Sequence, residues 1–303
     1  MKMKKLVSWL LCAVMAMSLL AGCGASDRAA ETTAAEVSTA PAEATTEATA
    51  AVSYGDDVQA IIDRGVLRVG VKNAVLGFGF QDELTGEYSG MEISLAEKIA
   101  EYLGVEVEFT AVTAATRTEL LDSGDIDCVL ATFTITDERK KSWDFTTPYY
   151  TDYVTVLVED AYGITSLADL VDKKVGVSSG STSAKALVKA MVEGGVLPGD
   201  NFDPETFDPA TWTEGISFAQ YDDYPTISTA LSAGEVDAFC VDKSILAVYN
   251  TDGRSYISDK FSPQEYGIAT TKDSGMSALC EELITTWLSD GTIDALIAEN
   301  GIA

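Results

Sequence analysis

The sequence predicts an α/β fold arranged as two similar lobes, and three observations point to it. Apolar runs of strand length alternate with helix-period segments through residues 66–132, the βαβ order that builds a mostly parallel sheet flanked by helices. The alternation restarts after Tyr149 and continues to residue 241. One short segment then recurs: Leu120-Leu121-Asp122-Ser123-Gly124-Asp125-Ile126-Asp127 returns as Ala230-Leu231-Ser232-Ala233-Gly234-Glu235-Val236-Asp237. Both copies read as a helix end, a glycine cap and a buried strand. Such turns are common in any α/β protein. Read functionally, they are one corner used twice, each copy aiming the carboxyl end of a strand at a shared cleft, where open α/β sheets bind ligands.

Element by element, residues 66–71 form the opening strand, and residues 93–103 form a helix with apolar positions 93, 95, 96, 99, 100 and 103. Residues 105–109 alternate with period two, as a half-buried strand does. A short helix is expected over 118–121 and a buried strand over 126–132. The second unit begins with a strand at 153–158, a helix at 166–171 and a strand at 174–177. Helix 182–192 follows, with Ser181 or Thr182 as its N-cap. A helix at 225–231 and a strand at 236–241 complete this unit, and residues 268–303 add a strand and one or two helices.

Residues 1–22 have the form of an export leader: Lys2, Lys4 and Lys5 precede a 15-residue apolar run at 6–20, which is shorter than the ~20 residues of an ordinary spanning helix. The Leu20-Ala21-Gly22-Cys23 stretch resembles a bacterial lipobox, which implies lipid on Cys23 and anchoring of the chain to the outer face of the cell membrane. Residues 24–53 are rich in Ala, Thr and Glu and contain no aromatic residue. Segments that bury so little apolar surface stay disordered, so 23–53 reads as a lipidated tether of about 30 Å reach. Cys12 belongs to the leader; Cys128, Cys240 and Cys280 are an odd set in apolar stretches and read as small buried side chains.

Charge and composition exclude several functions. Twenty basic residues face 48 acidic ones, a net charge of −28, and there is no histidine. A chain so acidic repels nucleic acid and anionic bilayers. Without histidine, imidazole acid–base chemistry, Ser-His-Asp triads and His-liganded metal sites are all unavailable. No cofactor is expected.

From Gly65 to Gly301 the chain resembles the family-3 extracellular solute-binding proteins of ABC polar amino-acid importers. The resemblance rests on Gly65-Val66-Leu67-Arg68-Val69-Gly70-Val71; on Thr134-Ile135-Thr136-Asp137-Glu138-Arg139 with Asp144-Phe145-Thr146-Thr147-Pro148-Tyr149-Tyr150; and on Lys174-Val175-Gly176-Val177 with Gly180-Ser181-Thr182. Val236-Asp237-Ala238-Phe239 and Tyr266-Gly267-Ile268-Ala269 extend it. Thr116-Arg117, residues 131–136, Asp223-Tyr224-Pro225 and Val241-Asp242-Lys243-Ser244 are most similar to the aspartate/glutamate-binding branch.

The resemblance implies a periplasmic-binding-protein type II fold with two hinge crossings, near 150–155 and 265–270. Lobe 1 would combine 54–150 with 268–303, and lobe 2 would be 154–263. It also implies a monomer that captures a free acidic amino acid, glutamate or aspartate, by lobe closure and delivers it to an ABC permease and ATPase. Glutamine or another polar amino acid is the alternative. A bilobed enzyme such as a dehydratase, with Asp242 or Glu138 as acid–base group, is the remote one.

The implied site has three parts. For the α-carboxylate, Arg139 offers a planar fork, with Thr134 and the helix start at Ser181 and Thr182 as further donors. By composition alone Arg139 could equally be a surface residue of the run Arg139-Lys140-Lys141. For the α-ammonium, Asp242 ends an apolar strand, where a carboxylate must be paired if buried; Thr132 could accept a second proton. For the ligand side chain, Lys72 and Arg117 supply cations suited to a second carboxylate, and Tyr224 could add its hydroxyl. Phe78, or else Phe133, is expected to cover the ligand. Two departures stand out: Asn73-Ala74-Val75-Leu76-Gly77-Phe78 at the lobe-1 entry, and Met91-Glu92-Ile93-Ser94, which lacks one acidic residue relatives often carry there.

Overall fold

A computed structural model describes residues 55–302. The leader, Cys23 and the tether lie outside the described residues. The helices and strands in chain order are α1 (Asp56–Arg64), β1 (Val66–Val71), β2 (Ala74–Val75), β3 (Gly79–Gln81), β4 (Tyr88–Ser89), α2 (Met91–Leu103), β5 (Glu106–Ala111), α3 (Arg117–Ser123), β6 (Cys128–Leu130) and β7 (Trp143–Phe145). The chain continues through β8 (Tyr150–Glu159), β9 (Lys174–Ser178), α4 (Ser183–Glu193), β10 (Ser217–Tyr221), α5 (Tyr224–Ala233), β11 (Ala238–Asp242), α6 (Lys243–Leu246), β12 (Arg254–Tyr256), β13 (Phe261–Tyr266), β14 (Ala269–Thr271), α7 (Gly275–Ser289) and α8 (Thr292–Glu299).

Two sheets share one plan. The first has the order β5-β1-β6-β14-β7 and the second β10-β9-β11-β8-β12, with β13 also on β8. In each, three parallel strands lead: β5, β1 and β6 in the first, β10, β9 and β11 in the second. An antiparallel strand then joins the third, β14 on β6 and β8 on β11. The chain leaves the first sheet along β8 and returns along β13, and these two strands pair antiparallel with Tyr150 opposite Tyr266. A small antiparallel sheet, β2-β3-β4, flanks the first lobe.

The repeated segment performs the same task in both lobes. α3 and α5 end on Gly124 (φ 74°) and Gly234 (φ 70°), whose N–H groups donate to the carbonyls of Leu120 and Leu121, and of Ala230 and Leu231. A left-handed conformation is inexpensive only for glycine. Three residues on, Asp127 N donates to Arg68 O and Asp237 N to Lys174 O, both at 2.8 Å. Their carboxylates accept from the backbone N–H of Arg68 and Lys174, again at 2.8 Å. Each corner thus docks the third strand beside the first.

Burial follows the predicted periodicity. Ile93, Leu95, Ala96, Ile99, Ala100 and Leu103 of α2 are all buried against β1 and its neighbours. Val175, Val177, Leu187, Val188 and Met191 form the core of the second lobe. Some expectations need correction. The helix expected at 166–171 is a 3-10 turn, Leu167–Leu170, because Ser166 and Asp169 close a capping box over a single turn. The strand expected over 126–132 pairs only at Cys128–Leu130. α1, β7, β10, β12 and β13 were not foreseen: the strands are short or interrupted by polar residues, and long-range pairing holds them in place.

Candidate functional site

Three strand ends and one helix start converge where the lobes face each other. β6 runs out into Thr132 and Thr134, β11 ends on Asp242, β9 leads through Gly180 to Ser181 and Thr182 at the start of α4, and α3 begins with Arg117. Together with Arg139 and Tyr224 they line one small cavity. Lys72, directly after β1, lines the adjoining cavity with Ser178 and Asp223, and Tyr224 borders both. Of the ten residues singled out in the sequence, nine therefore lie around this junction.

Phe78 does not. Its side chain is fully buried, edge-on to Tyr150 at 5.0 Å and to Tyr266 at 5.8 Å, and it lines neither cavity. Packing between the crossing strands removes it from any role as a cover. Phe133 also lines neither cavity, but its ring lies under both guanidiniums, 3.7 Å from Arg117 Cζ and 4.6 Å from Arg139 Cζ. One buried ring thus orders two cations by stacking.

The arginines are also tied to backbone. Arg117 Nη1 donates to Ala131 O at 2.9 Å. Arg139 Nη1 donates to Thr134 O at 2.7 Å, and its Nη2 reaches across the lobes to Gly180 O at 3.1 Å. A second link between the lobes is Lys185 Nζ to Glu138 Oε2 at 3.3 Å. Thr182 holds the N-cap position of α4, but its hydroxyl donates to Gln264 Oε1 at 2.8 Å rather than capping the helix. The first α4 amide, Ser183 N, makes only a long hydrogen bond to Ser181 Oγ at 3.4 Å, and a helix start suits an anion.

Thr132 adopts φ 44°, a costly conformation for a β-branched residue. The surroundings impose it: Thr132 N donates to Glu92 Oε1 at 2.6 Å, and Arg117 grips the preceding carbonyl. Glu92 also accepts from Tyr149 Oη at 2.6 Å and is fully buried. Sequence reading treated the Glu92 segment as a departure and missed this role. The signal was present as an acidic residue between the apolar Met91 and Ile93 in the first turn of α2.

Electrostatically, the cations Lys72, Arg117 and Arg139 meet the carboxylates Glu92 and Asp242, with Asp152 behind Asp242 and Asp222 and Asp223 lining the adjoining cavity. Burial lowers Arg139 to about 9 and Arg117 to about 10. Burial, then the Arg117 charge, holds Lys72 well below the usual lysine range. Burial raises Glu92. Burial raises Asp242 to about 7, the Tyr266 hydrogen bond opposing and Asp152 adding to the rise. A carboxylate bound in the small cavity meets Arg117 and Arg139, and an ammonium meets Asp242, whose Oδ1 is buried without a hydrogen-bond partner among the described residues.

A groove of about 420 Å³ lies elsewhere, beside Tyr150–Tyr153, Lys243 and Ile302. It gathers no comparable set of buried charges. The described residues contain no cluster of potential metal-ligating side chains and no helix long and apolar enough to cross a membrane.

Comparison with known proteins agrees with this architecture. The chain is 32% identical over 303 residues to the glutamine-binding protein of an ABC transporter in Bacillus subtilis, covering 97% of this chain and 96% of that one. It is 29% identical over 267 residues to a glutamate-binding protein of Corynebacterium glutamicum, covering 82% of each. Among solved structures, an ancestral arginine-binding protein bound to arginine superposes with a TM-score of 0.65 at 34% identity, covering 78% of this chain and 98% of that one. Its relatives are transport binding proteins rather than enzymes, and it shares their two-lobed periplasmic-binding-protein fold. Residues 67–301 match the bacterial extracellular solute-binding proteins, family 3, and the chain belongs to that family.

Proposed function

We propose that this chain binds an acidic L-amino acid, glutamate or aspartate, between its lobes and hands it to an ABC permease. The observation that carries the reading is the pair of buried cations beyond Arg139. Arg139 and Asp242 match the two charges of any zwitterion. Lys72 and Arg117, both beside Tyr224, are then complementary to a side-chain carboxylate. Relatives have names that specify glutamine, glutamate and arginine, so family membership alone leaves the side chain open; the local cations support an acidic one. Glutamine would leave a buried cation unpaired, which costs more than a typical hydrogen bond returns. The acidic surface does not oppose this, because charges beyond about 8 Å are screened at physiological salt.

Binding is by closure: Arg139 to Gly180 and Glu138 to Lys185 span the lobes and form only when they meet. Anchoring through lipid on Cys23 places the body at the outer face of the membrane, and an intact-mass measurement of the amino terminus checks it. Calorimetry with glutamate, aspartate, glutamine and arginine tests the ligand assignment. Glutamate or aspartate binds tightest, and Arg139→Ala loses every amino acid. Glutamine or arginine binding tighter than both acids would reject it.

A further inference from the structure

Asp242, Asp152 and Tyr266 lie on three neighbouring strands of one sheet. β11 carries Asp242 opposite Val154 of β8, two residues from Asp152, and β13 brings Tyr266 opposite Tyr150. The Tyr266 hydroxyl donates to Asp242 Oδ2 at 2.5 Å and lies 3.4 Å from Asp152 Oδ2. Asp152 is otherwise occupied by the amides of Tyr153 at 2.7 Å and Ser244 at 3.0 Å, and by the Ser244 hydroxyl. Tyr266 is fully buried, its ring 5.9 Å from Tyr150 in a stack and 5.8 Å from Phe78 edge-on. Its hydroxyl is thus carried by a strand that crosses between the lobes, and it touches the carboxylate assigned to the ammonium.

We propose that Tyr266 is a positioning residue: its hydroxyl, fixed on the returning crossing strand, holds the Asp242 carboxylate ionised and turned toward the ligand ammonium beside the like-charged Asp152. The inference rests on the assignment of Asp242 to the α-ammonium. All three residues belong to one continuous sheet, so their arrangement does not depend on how far apart the lobes stand.

The groups that face Asp242 set the pH dependence. They are Asp152 on β8, Tyr266 on β13, Tyr224 on α5, Arg117 on α3, Arg139 in its 3-10 turn and Lys72 beyond β1. Burial and Asp152 favour the protonated acid; the Tyr266 hydrogen bond and the arginines favour the carboxylate. An ammonium needs the carboxylate, so affinity declines as pH falls through about 7, by up to about tenfold per unit. Removing the hydroxyl moves that decline to higher pH, and removing the Asp152 charge moves it to lower pH.

The test is calorimetry of the full chain with L-glutamate and with L-glutamine from pH 5 to 9, for wild type, Tyr266→Phe, Asp152→Asn and Asp242→Asn. Phenylalanine keeps the stack with Tyr150 and the contact with Phe78, and a thermal melt verifies folding. Tyr266→Phe is expected to weaken both ligands about tenfold to a hundredfold at pH 8 and to shift the decline upward, whereas Asp152→Asn shifts it downward. A folded Tyr266→Phe whose titration overlays wild type overturns the proposal while Asp242→Asn, without binding, upholds the ammonium assignment. If Asp242→Asn binds like wild type, that assignment fails and the proposal with it.

Discussion

Replacing Lys72 by methionine separates recognition of the ligand side chain from recognition of the zwitterion. Lys72 is 4% exposed at the end of β1, with its Nζ 5.4 Å from the centre of the Tyr224 ring. Methionine keeps the length of the stem and removes only the charge. An interaction between a charged group and its hydrogen-bond partner contributes about 1.5–3 kcal/mol, which is roughly tenfold to a hundredfold in affinity. Glutamate should lose that much, whereas glutamine, which makes no use of a cation, should change by less than about threefold on the same scale.

Stability moves the other way. Burial, then Arg117, lowers the Lys72 pKa, so the folded state disfavours the charged amine. That penalty sets in as pH falls below the unfolded pKa of a lysine and grows until the folded pKa is passed, so it is present at neutral pH. Relieving it should raise the ligand-free melting temperature by about 2–4 °C per kcal/mol recovered. Calorimetry with both ligands at pH 7.5 and 0.15 M salt, paired with thermal melts, reads both effects. Equal losses for glutamate and glutamine would refute the reasoning, because they would make Lys72 a general structural support.

Asp242→Asn should likewise trade function for stability. The folded pKa of about 7 exceeds the unfolded value, so the stability tied to the protonated acid is present below about pH 4 and lost as pH rises through 7. The loss amounts to at most about 4 kcal/mol. The variant should therefore melt several degrees higher than wild type at pH 8 and nearly together with it at pH 4; a lower melting temperature at pH 8 would contradict this. Gly180→Ala probes closure. Gly180 has φ +74°, and an added Cβ would stand 2.8 Å from Ala114 O in the opposite lobe. We expect weaker binding of every amino acid and a larger ligand-saturated radius of gyration by small-angle scattering, and unchanged affinity would show that the lobes need not approach so closely.

Much of the architecture was legible because it is written in short-range pattern. The 93–103 helix follows from six apolar positions, and the two glycine-capped corners follow from a repeated octapeptide whose glycines must be left-handed. Arg139, Asp242, Arg117, Thr132, Thr134, Ser181, Thr182 and Tyr224, which the family resemblance implied, line one cavity, with Lys72 at its edge. What stayed hidden was each side chain's partner. Thr182 has the residue type and place of an N-cap but bonds Gln264, and Phe78 has the size of a cover but packs at the crossing.

By itself, then, the amino-acid order determined the alternation of elements, the paired lobes and the chemical types brought to the cleft, because propensity, caps and periodicity act over a few residues. Only the tertiary structure decided how buried charges are held. Glu92 meets Thr132 across 40 residues, Tyr266 meets Asp242 across 24, and Arg139 meets Gly180 across 41. Such pairings obey the rule that a buried polar group must find a partner, but which partner it finds depends on chain crossings that no local pattern encodes.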